Sequence, residues 1–384
     1  MAGPGGPDDL MAGIAALTAA GAVEVRIVAV DIPSGLCADS GRVLGREGRP
    51  APEGRGVIPA DLTVTFHSLK PGHLLADGPR LCGAVEVVPI GLPAADSPLA
   101  LLEAPDPALL AKAGFGHKYS HGHALVLGGG RGRGGAARLA ARGALRMGAG
   151  LVTLGVPPAA LPENAARLDA VMLRVLADAD ALTAMLGDGR LNALCAGPGL
   201  GLGEREKALL AAVLEAGRPA LLDADAITLL AGDEGLRARL HAGVVLTPHE
   251  GEFARLCPGI ASRWRAPAIA GPAFSKLDAA RQAAAELGCI VLLKGPDTVI
   301  ADPGGRAAIH AAVRDRAVPW LATAGAGDVL AGMIAGLLAR GLPPFEAASG
   351  AVWLHAEAAR RFGPGLIAED LPEALPGVFR ALGL

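Results

Sequence analysis

Short apolar runs recur along the second part of the chain, and each of them ends at polar or glycine-rich residues. Four runs predict buried strands, at 193–196, 220–222, 244–246 and 290–293. The residues that follow them are Gly197-Pro198-Gly199-Leu200-Gly201, Asp223-Ala224-Asp225-Ala226, Thr247-Pro248-His249-Glu250-Gly251-Glu252 and Lys294-Gly295-Pro296-Asp297-Thr298. Because the carboxyl ends of parallel strands meet at one edge of a sheet, we expect these four strand ends to form a single site.

A further apolar run begins at Val329 and predicts a helix, and the loop before it is built from small residues. The stretch 323–334 reads Thr-Ala-Gly-Ala-Gly-Asp-Val-Leu-Ala-Gly-Met-Ile. Gly325 and Gly327 can adopt backbone angles closed to other residues, so this loop can turn the unpaired N–H groups of the helix start towards an anion. Asp328 then either accepts a proton beside a bound phosphoryl group or merely caps the helix, and this stretch by itself leaves both roles open.

The first hundred residues show a shorter version of the same pattern. After an Ala/Leu-rich helix, strands are predicted at 23–30, 62–66 and 84–88, and the first is followed by Asp31-Ile32-Pro33-Ser34-Gly35. A carboxylate and a hydroxyl would then project from a strand end, although a Pro/Gly turn with a capping Asp explains the same residues. The Pro-, Ala- and Asp-rich segment 93–107 predicts a linker, which gives one domain of residues 1–98 and another of 99–384.

The predicted second domain begins with a strand, a glycine-rich loop and a helix predicted over 136–148. The helix places three arginines four residues apart on one face, which is typical of a solvated surface: Arg138, Arg142 and Arg146. The loop has the spacing of a dinucleotide-binding fingerprint, Gly130-x-Gly132-x-x-Gly135, but the next strand ends in two prolines with no acidic residue to hold a ribose. We therefore predict neither that fold nor a P-loop ATPase, whose motif is also missing from the sequence.

Composition excludes several classes of function. The chain is 51% hydrophobic but only 3% aromatic, with a net charge of -3, so nothing in its charge favours binding to nucleic acid or to an anionic membrane. The five cysteines are scattered without a C-x-x-C pair, which is typical of core residues in a reducing compartment. The apolar run 10–23 is too short for a membrane span and follows no basic leader, so we expect a cytoplasmic protein.

Taken together, the motifs of residues 105–384 resemble the ADP/ATP-dependent NAD(P)H-hydrate dehydratase family, a branch of the ribokinase-like superfamily. The resemblance rests on the four strand-end motifs and on His117-Lys118, Gly134-Gly135-Ala136 and Ala324-Gly325-Ala326-Gly327-Asp328. Thr-Pro-His-x-Gly-Glu and Gly-Pro-Gly-Leu-Gly distinguish the dehydratases from other kinases of the fold. The resemblance implies an α/β architecture, namely a ribokinase-like layered αβα domain with a mainly parallel central sheet.

The resemblance also implies an activity: ADP-dependent dehydration of the S epimer of hydrated NADH or NADPH, with release of AMP and phosphate. ADP or ATP would be the phosphoryl donor, with Mg²⁺ on the phosphates, and Asp328 would be the catalytic base. The residues implied to contact the hydrated dinucleotide are Ala136, Gly199, Gly201, His249 and Asp328. Those implied to contact the adenine nucleotide are Lys294, Gly295, Pro296, Asp297, Thr298, Gly325 and Gly327. A homo-oligomer is expected as well.

Residues 20–93 are similar to the C-terminal part of the NAD(P)H-hydrate epimerase domain, which precedes the dehydratase in bifunctional bacterial repair proteins. By this resemblance Asp31 matches a hydrate contact and Ser34 a potassium ligand. Only 30 residues precede Asp31, and they contain neither the Asn/Gly/Asp-rich loop nor the second metal-binding Asp of that family. We therefore expect a partial Rossmann-like epimerase domain without epimerase activity, and K⁺ only if its site persists.

Two other functions stay open from the sequence. A small-molecule kinase of the same fold would use the same glycine-rich helix start to phosphorylate a hydroxyl with ATP, since a fold does not decide a function. A non-catalytic nucleotide-binding relative would keep the motifs without turnover.

Overall fold

The computed structural model describes residues 26–45, 49, 56–93, 96–112 and 114–384. The chain divides into two units, Met1–Ser97 with Arg263–Lys276, and Pro98–Ser262 with Leu277–Leu384. The short segment Arg263–Lys276, which belongs with the first unit although it comes much later in the chain, was not predicted from the sequence. The assignment of 1–98 and 99–384 as separate domains stays a prediction, and the helix expected before residue 24 lies outside the described residues.

The first unit contains a small parallel sheet. Its strands are β1 (Val28–Val30), β2 (Leu62–Phe66) and β3 (Ala84–Val88), in that spatial order, and a short helix α1 (Gly78–Leu81) precedes β3. Both strand pairs are parallel, with Val28 opposite Leu62 and Leu62 opposite Ala84. The strands predicted at 62–66 and 84–88 are confirmed, and the strand predicted at 23–30 is confirmed for Val28–Val30 only, since the described residues 26 and 27 lie outside it.

The second unit is built on a long sheet. Its strands within the described residues are β4 (Leu99–Leu101), β5 (His123–Leu127), β6 (Leu151–Val156), β7 (Met172–Val175), β8 (Ala193–Ala196), β9 (Ala220–Leu222), β10 (Val244–Leu246), β11 (Ile290–Leu293), β12 (Asp297–Ala301) and β13 (Ala307–Ala311). The spatial order is β4-β13-β12-β11-β10-β9-β8-β5-β6-β7. In this ten-stranded sheet β12 pairs antiparallel with both neighbours and every other pairing is parallel, so the predicted mainly parallel sheet is confirmed.

Helices connect the strands and cover the sheet. Within the described residues they are α2 (Pro107–Leu110), α3 (Gly134–Arg146), α4 (Leu161–Ala165), α5 (Ala179–Leu186), α6 (Glu204–Glu215), α7 (Ala224–Ala231), α8 (Glu234–Arg237), α9 (Glu250–Leu256), α10 (Pro258–Arg265), α11 (Lys276–Leu287), α12 (Ala326–Ala339), α13 (Pro344–Phe362) and α14 (Asp370–Ala381). The central strands β5, β8, β9, β10 and β11 are buried at every position. Burial on both faces explains why the sequence shows them as continuous apolar runs rather than alternating ones.

The largest core lies between one face of the sheet and the helices α3, α12, α13 and α14. Strand residues such as Val126 and Leu221 pack there with Ile334 of α12 and Leu354 of α13. Cys195 and the other four cysteines are free and buried, as expected for core residues. This packing fixes the position of α12, whose first turn carries the glycine-rich motif.

Helices α3 and α12 lie in backbone contact because small residues face each other. A Cβ at Gly332 would stand 1.8 Å from the carbonyl oxygen of Ala140, and one at Gly336 would stand 2.6 Å from that of Ala144. Larger side chains at either glycine would force the helices apart. Residue 332 faces 140 and 336 faces 144, so the two helices run parallel and their first turns lie at the same end of the pair.

One expectation about the connection between the two units is wrong. The segment 93–107 was predicted to be a linker, but Leu99–Leu101 forms strand β4 and pairs in parallel with β13, with Ala307 opposite Leu99. Three residues rich in Leu and Ala carry too little pattern for strand prediction, since the partner that stabilises them lies two hundred positions away.

Candidate functional site

The four strand ends singled out in the sequence lie side by side. Strands β8, β9, β10 and β11 are consecutive in the sheet, and each pair is parallel. Their carboxyl ends therefore open onto one edge, as expected. The contacts described below join residues from all four of these ends.

A buried carboxylate lies at the centre of this edge. Asp223 is 2% exposed, and its Oδ1 accepts hydrogen bonds from Lys294 Nζ at 2.8 Å and from Thr247 Oγ1 at 2.9 Å. The carboxylate of Glu252 approaches the same ammonium group, with Oε2 3.9 Å from Nζ. Lys294 therefore stands between two acidic groups that are largely shielded from water, and a cation and an anion interact more strongly there than in water.

The glycine-rich loop brings the start of α12 to this lysine. Gly325 is left-handed, with φ 90°, and α12 begins at Ala326. A Cβ at Gly327 would lie 3.6 Å from Lys294 Nζ and 3.9 Å from Asp223 Oδ2. The absence of a side chain there leaves a narrow space between the unpaired N–H groups of the first turn and the ammonium group, which is suited to an anion.

Asp328 is not the residue that caps the helix. The cap position is Gly325, so the aspartate lies in the first turn, and its side chain makes no capping hydrogen bond. Burial, followed by the charge of Asp223, raises the pKa of Asp328 to about 6, with a smaller contribution from Asp225 and an opposing one from Lys294. A carboxyl group with such a pKa can take up a proton near neutral pH, which is what a general base requires.

Three of the residues expected to contact the hydrated dinucleotide, Ala136, Gly199 and Gly201, lie beside each other near the end of β8. Gly199 has φ 62°, and a Cβ on it would meet the carbonyl oxygen of Arg133 at 2.8 Å and Ala136 Cβ at 3.3 Å. The backbone N–H of Gly201 donates to Asp225 Oδ2 at 2.8 Å. Ala136, Gly199 and Gly201 thus connect the first turn of α3 to the acidic cluster around Asp328.

His249 caps helix α9 and also borders the site. Its Nδ1 accepts from the backbone N–H of Gly251 at 2.9 Å, and Glu252 closes the reciprocal contact by accepting from the N–H of His249 at 2.8 Å. The ring is 56% exposed, and its Nε2 lies 3.5 Å from Glu252 Oε1. The capping role explains the position of the ring, and the exposed edge is free to meet a ligand.

A pocket of about 480 Å³ opens beside the glycine-rich loop. Five of the residues expected to contact the nucleotide line it: Lys294, Gly295, Pro296, Thr298 and Gly327. The other two are placed nearby but outside this lining: Asp297 opens strand β12, and Gly325 forms the left-handed turn before α12. Apolar side chains form much of the remaining wall, among them Val318, Leu330 and Val352. Such an apolar wall suits the flat face of a nucleotide base, while the end of the pocket that carries Lys294 suits a phosphate group.

Two buried histidines in this pocket were missed by the sequence analysis. His355 of α13 lies within hydrogen-bonding distance of the carbonyl oxygen of Ala326, with Nε2 2.9 Å away, and burial lowers its pKa to about 4. His310 of β13 pairs across the hairpin with Thr298, and burial, followed by the charge of Arg316, lowers its pKa to about 4. Neither stands in a recognisable motif, so only the fold reveals that both are neutral wall residues.

The candidate residues of the first unit form a separate small cluster. Asp31 follows β1 and accepts from Lys70 Nζ at 2.6 Å and from Thr65 Oγ1 at 2.7 Å. The hydrogen bond from Lys70 holds the pKa of Asp31 below its usual value, against the opposing effect of burial. Ser34 is exposed in the following turn. K⁺ binding at Ser34 and the loss of epimerase activity stay predictions.

Comparison with known proteins decides the family. Residues 124–375 match the family model described as NAD(P)H-hydrate dehydratase, which is more than half of the chain. The chain belongs to the NAD(P)H-hydrate dehydratase family. Residues 4–72 match a second model, described as YjeF-related protein N-terminus.

Curated relatives agree with both matches. The chain is 40% identical over 330 residues to the bifunctional NAD(P)H-hydrate repair enzyme Nnr of Mycobacterium tuberculosis, covering 85% of this chain and 62% of that protein. It is 37% identical over 379 residues to the enzyme of the same name from Moorella thermoacetica, covering 92% of this chain and 67% of the relative. The chain thus spans about three fifths of the mycobacterial relative's length.

Solved structures agree with the fold of the dehydratase unit. The ADP/ATP-dependent NAD(P)H-hydrate dehydratase of Bacillus subtilis, co-crystallised with ATP and Mg²⁺, is 29% identical, with a TM-score of 0.57 over 71% of this chain and 94% of that one. A ribokinase-like superfamily protein of Enterococcus faecalis, 24% identical, has a TM-score of 0.62 over 76% of this chain and 99% of that one. The predicted ribokinase-like fold is confirmed. In the part of the dehydratase chain that the structure describes, no helix is long and apolar enough to cross a membrane.

Proposed function

We propose that the second unit dehydrates the S epimer of hydrated NADH or NADPH at the expense of ADP, and so restores the reduced dinucleotide. The observation that carries this proposal is the position of Asp328. It stands in the first turn of α12, in the same cluster as Lys294 and Asp223, with a pKa raised to about 6 by burial. One carboxylate therefore combines a basic site with an adjacent anion-binding helix start.

The reaction follows from the poor leaving ability of a ring hydroxyl. Asp328 takes the proton of that hydroxyl while the hydroxyl oxygen attacks the terminal phosphorus of ADP. The bond between this phosphorus and the bridging oxygen breaks, which releases AMP. The N–H groups of the first turn of α12 and the Lys294 ammonium stabilise the charge on the transferring group. Phosphate then departs from the ring carbon, a proton leaves the neighbouring carbon, and the ring double bond is restored.

Mg²⁺ suits this site as a companion of the nucleotide. The described residues contain no cluster of three or more His, Cys, Asp and Glu side chains that could hold a metal by themselves. The carboxylates of Asp223 and Asp225 nevertheless repel the charge of Asp328, so the site carries excess negative charge. A divalent ion bound to the phosphates would neutralise it, with Asp225 as the residue to hold its water ligands.

The adenine nucleotide is assigned to the pocket between β11, β12 and α13. Lys294 and Gly327 lie at its inner end, close to Asp223, and the apolar wall formed by Val318, Leu330 and Val352 lies beyond them. This gradient from charged to apolar supports a nucleotide whose phosphates point towards Asp328. The hydrated dinucleotide is assigned to the opposite side of the aspartate, against Ala136, Gly199 and Gly201.

The deciding experiment incubates the purified chain with ADP, Mg²⁺ and the S hydrate of NADH, and follows the return of absorbance in the NADH band. We expect recovery that depends on ADP and yields one AMP and one phosphate for each NADH. Omission of nucleotide should abolish it. No recovery with ADP or ATP, or accumulation of a stable phosphate ester instead of NADH, would assign the site to a kinase of the same fold and reject this proposal.

A further inference from the structure

A groove runs along the outer face of α3, on the opposite side of that helix from its contact with α12. It encloses about 760 Å³, and we call it the arginine groove after the side chains that dominate its lining: Arg138, Arg142, Arg146 and Arg167. From the sequence, the first three are expected to form an ordinary solvated helix face. Instead, they line one wall of a concave surface and so share a common environment, which a solvated helix face does not provide.

Two of these four arginines share one carboxylate partner. Arg142 and Arg146 both pair with Glu373 of α14, at 2.8 Å and 2.5 Å. Arg138 instead donates to the uncharged side-chain oxygen of Asn164 at 3.0 Å, which orients its guanidinium group, and the carboxylate of Glu163 stands near both without an ion pair to Arg138. In the described part of the chain, no carboxylate lies within ion-pairing distance of Arg138 or Arg167. Two guanidinium groups of the groove therefore remain available to an external anion, although Asp169 and Glu369 also contribute to its lining.

The groove begins beside the site described above. Gly135 lines its inner end and is the neighbour of Ala136, whose Cβ lies 3.3 Å from the place that a Cβ on Gly199 would occupy. Leu139, a further lining residue, puts its Cδ1 2.7 Å from the place of a Cβ on Gly325. From Gly135 to Arg146 the helix rises about 16 Å, which is the scale of an extended dinucleotide.

We propose that the arginine groove binds the phosphate groups of the hydrated dinucleotide, with Arg138 and Arg167 as the residues that contact them. Guanidinium groups bind phosphate oxygens in a bidentate manner, and a groove that leads away from the reacting ring lets the rest of the dinucleotide follow α3. Arg142 and Arg146, fixed by Glu373, form the outer boundary of the site. This assignment rests on the proposed dehydratase function, because it takes the ring to lie at Ala136 and Gly199.

The test uses fragments of the substrate that lack the reacting ring. Binding of ADP-ribose and of 2′-phospho-ADP-ribose is measured by calorimetry with ADP present in excess, so that the nucleotide pocket is occupied. The variants are Arg138→Gln, Arg167→Gln and the double variant, and Arg239→Gln serves as the matched control. Arg239 pairs with Glu215 and does not line the groove, so its loss removes the same charge elsewhere.

We expect each groove substitution to weaken fragment binding by about 10-fold and the double variant by more than either, as for the loss of a charge-assisted hydrogen bond. In steady-state assays with the hydrates, KM should rise by a similar factor while kcat changes little. Equal losses with both fragments would identify the diphosphate as the contacted group. A loss confined to the 2′-phosphorylated fragment would identify the 2′-phosphate and a preference for the NADPH form. Arg239→Gln should behave like the wild type.

Wild-type fragment affinity and wild-type KM in the double variant would overturn the assignment. So would unchanged fragment binding together with an altered mass in light scattering, since the groove would then be a contact between copies of the chain. Arg138→Lys, which keeps the charge, separates loss of binding from loss of folding, and thermal unfolding is recorded for every variant. Failure of the dehydratase proposal is distinguishable, because the wild type would then bind the fragments yet recover no NADH.

Discussion

Lys294 Nζ lies 2.8 Å from Asp223 Oδ1, although 71 positions separate the two residues in the chain. The contact joins the ends of β11 and β9, which are not neighbours in the sheet, across the end of β10. It keeps a cation beside the first turn of α12, where Gly327 leaves room for an anion. The same pair also acts on the pKa of Asp328, which burial raises most: Asp223 raises it further and Lys294 lowers it.

Removing the proposed base should abolish most of the turnover. Asp328→Asn is expected to lower kcat by about 10²–10⁴-fold, since the amide cannot take the hydroxyl proton. Its affinity for ADP, measured by calorimetry, should stay close to the wild type because the N–H groups of the helix start are unchanged. Asp302→Asn, in an exposed turn whose side chain accepts from the Arg306 N–H, is the control and should keep full activity. Near wild-type turnover by Asp328→Asn would remove this residue from the mechanism.

The activity should fall on the acid side with an apparent pKa near that of Asp328, about 6. A general base must be deprotonated, so kcat/KM is expected to rise with pH and to level off above this pKa. Asp225→Asn removes a negative neighbour of Asp328 and should shift the acid side of the kcat/KM profile to lower pH. Lys294→Met removes a positive neighbour and should shift it to higher pH. The measurement is the pH profile of kcat/KM for the three proteins, and shifts in the same direction for both variants would contradict the assignment.

The backbone contact between α3 and α12 should tolerate no added carbon. Gly332→Ala would place a Cβ 1.8 Å from the carbonyl oxygen of Ala140, so we expect the free energy of unfolding to fall by about 1–3 kcal/mol or more. Gly259→Ala is the matched control, because a Cβ there meets no atom within 4 Å and Ala favours a helix. Urea unfolding measures both. A loss of stability in Gly259→Ala equal to that in Gly332→Ala would show that close packing is not the cause.

His355 should make stability depend on pH. Burial lowers its pKa to about 4 in the folded chain, below the ordinary value of about 6.5, so the unfolded chain binds the proton more tightly between these two values. The contribution of the neutral ring to stability is therefore fully present above about pH 6.5 and is lost as pH falls towards 4. His355→Gln, which can still donate to the Ala326 carbonyl, should reduce this loss, by up to about 3 kcal/mol at the acid end.

The measurement for His355 is the free energy of unfolding at several pH values in both proteins. His117→Gln is the control, since that ring is exposed and should leave the acid dependence nearly unchanged. Parallel curves for wild type and His355→Gln would mean that other groups cause the acid dependence.

Strand positions in the second unit could be predicted from the sequence because burial on both faces leaves an uninterrupted apolar run. The runs at 193–196, 220–222, 244–246 and 290–293 coincide with the observed strands β8 to β11. Strand β4 was missed, because an edge strand of three residues has no such run and exists only through its pairing with β13. The helix α3 was placed two residues late, since Gly134 and Gly135 discourage helix in isolation and are held in it by packing.

The pattern of residues along the chain was enough to predict the family, the central strands β8 to β11 and the small-residue loop before α12, because these depend on local composition and on the spacing of motifs. The chemistry of individual side chains depends instead on the tertiary structure. Asp223, Asp328 and His249 all stand at or near a helix start, yet only His249 makes the capping hydrogen bond. Asp223 instead accepts hydrogen bonds from Lys294 and Thr247, and Asp328 has a raised pKa. These differences result from burial and from the charges of residues that are distant in the sequence but close in space. Both effects arise when the strand ends come together.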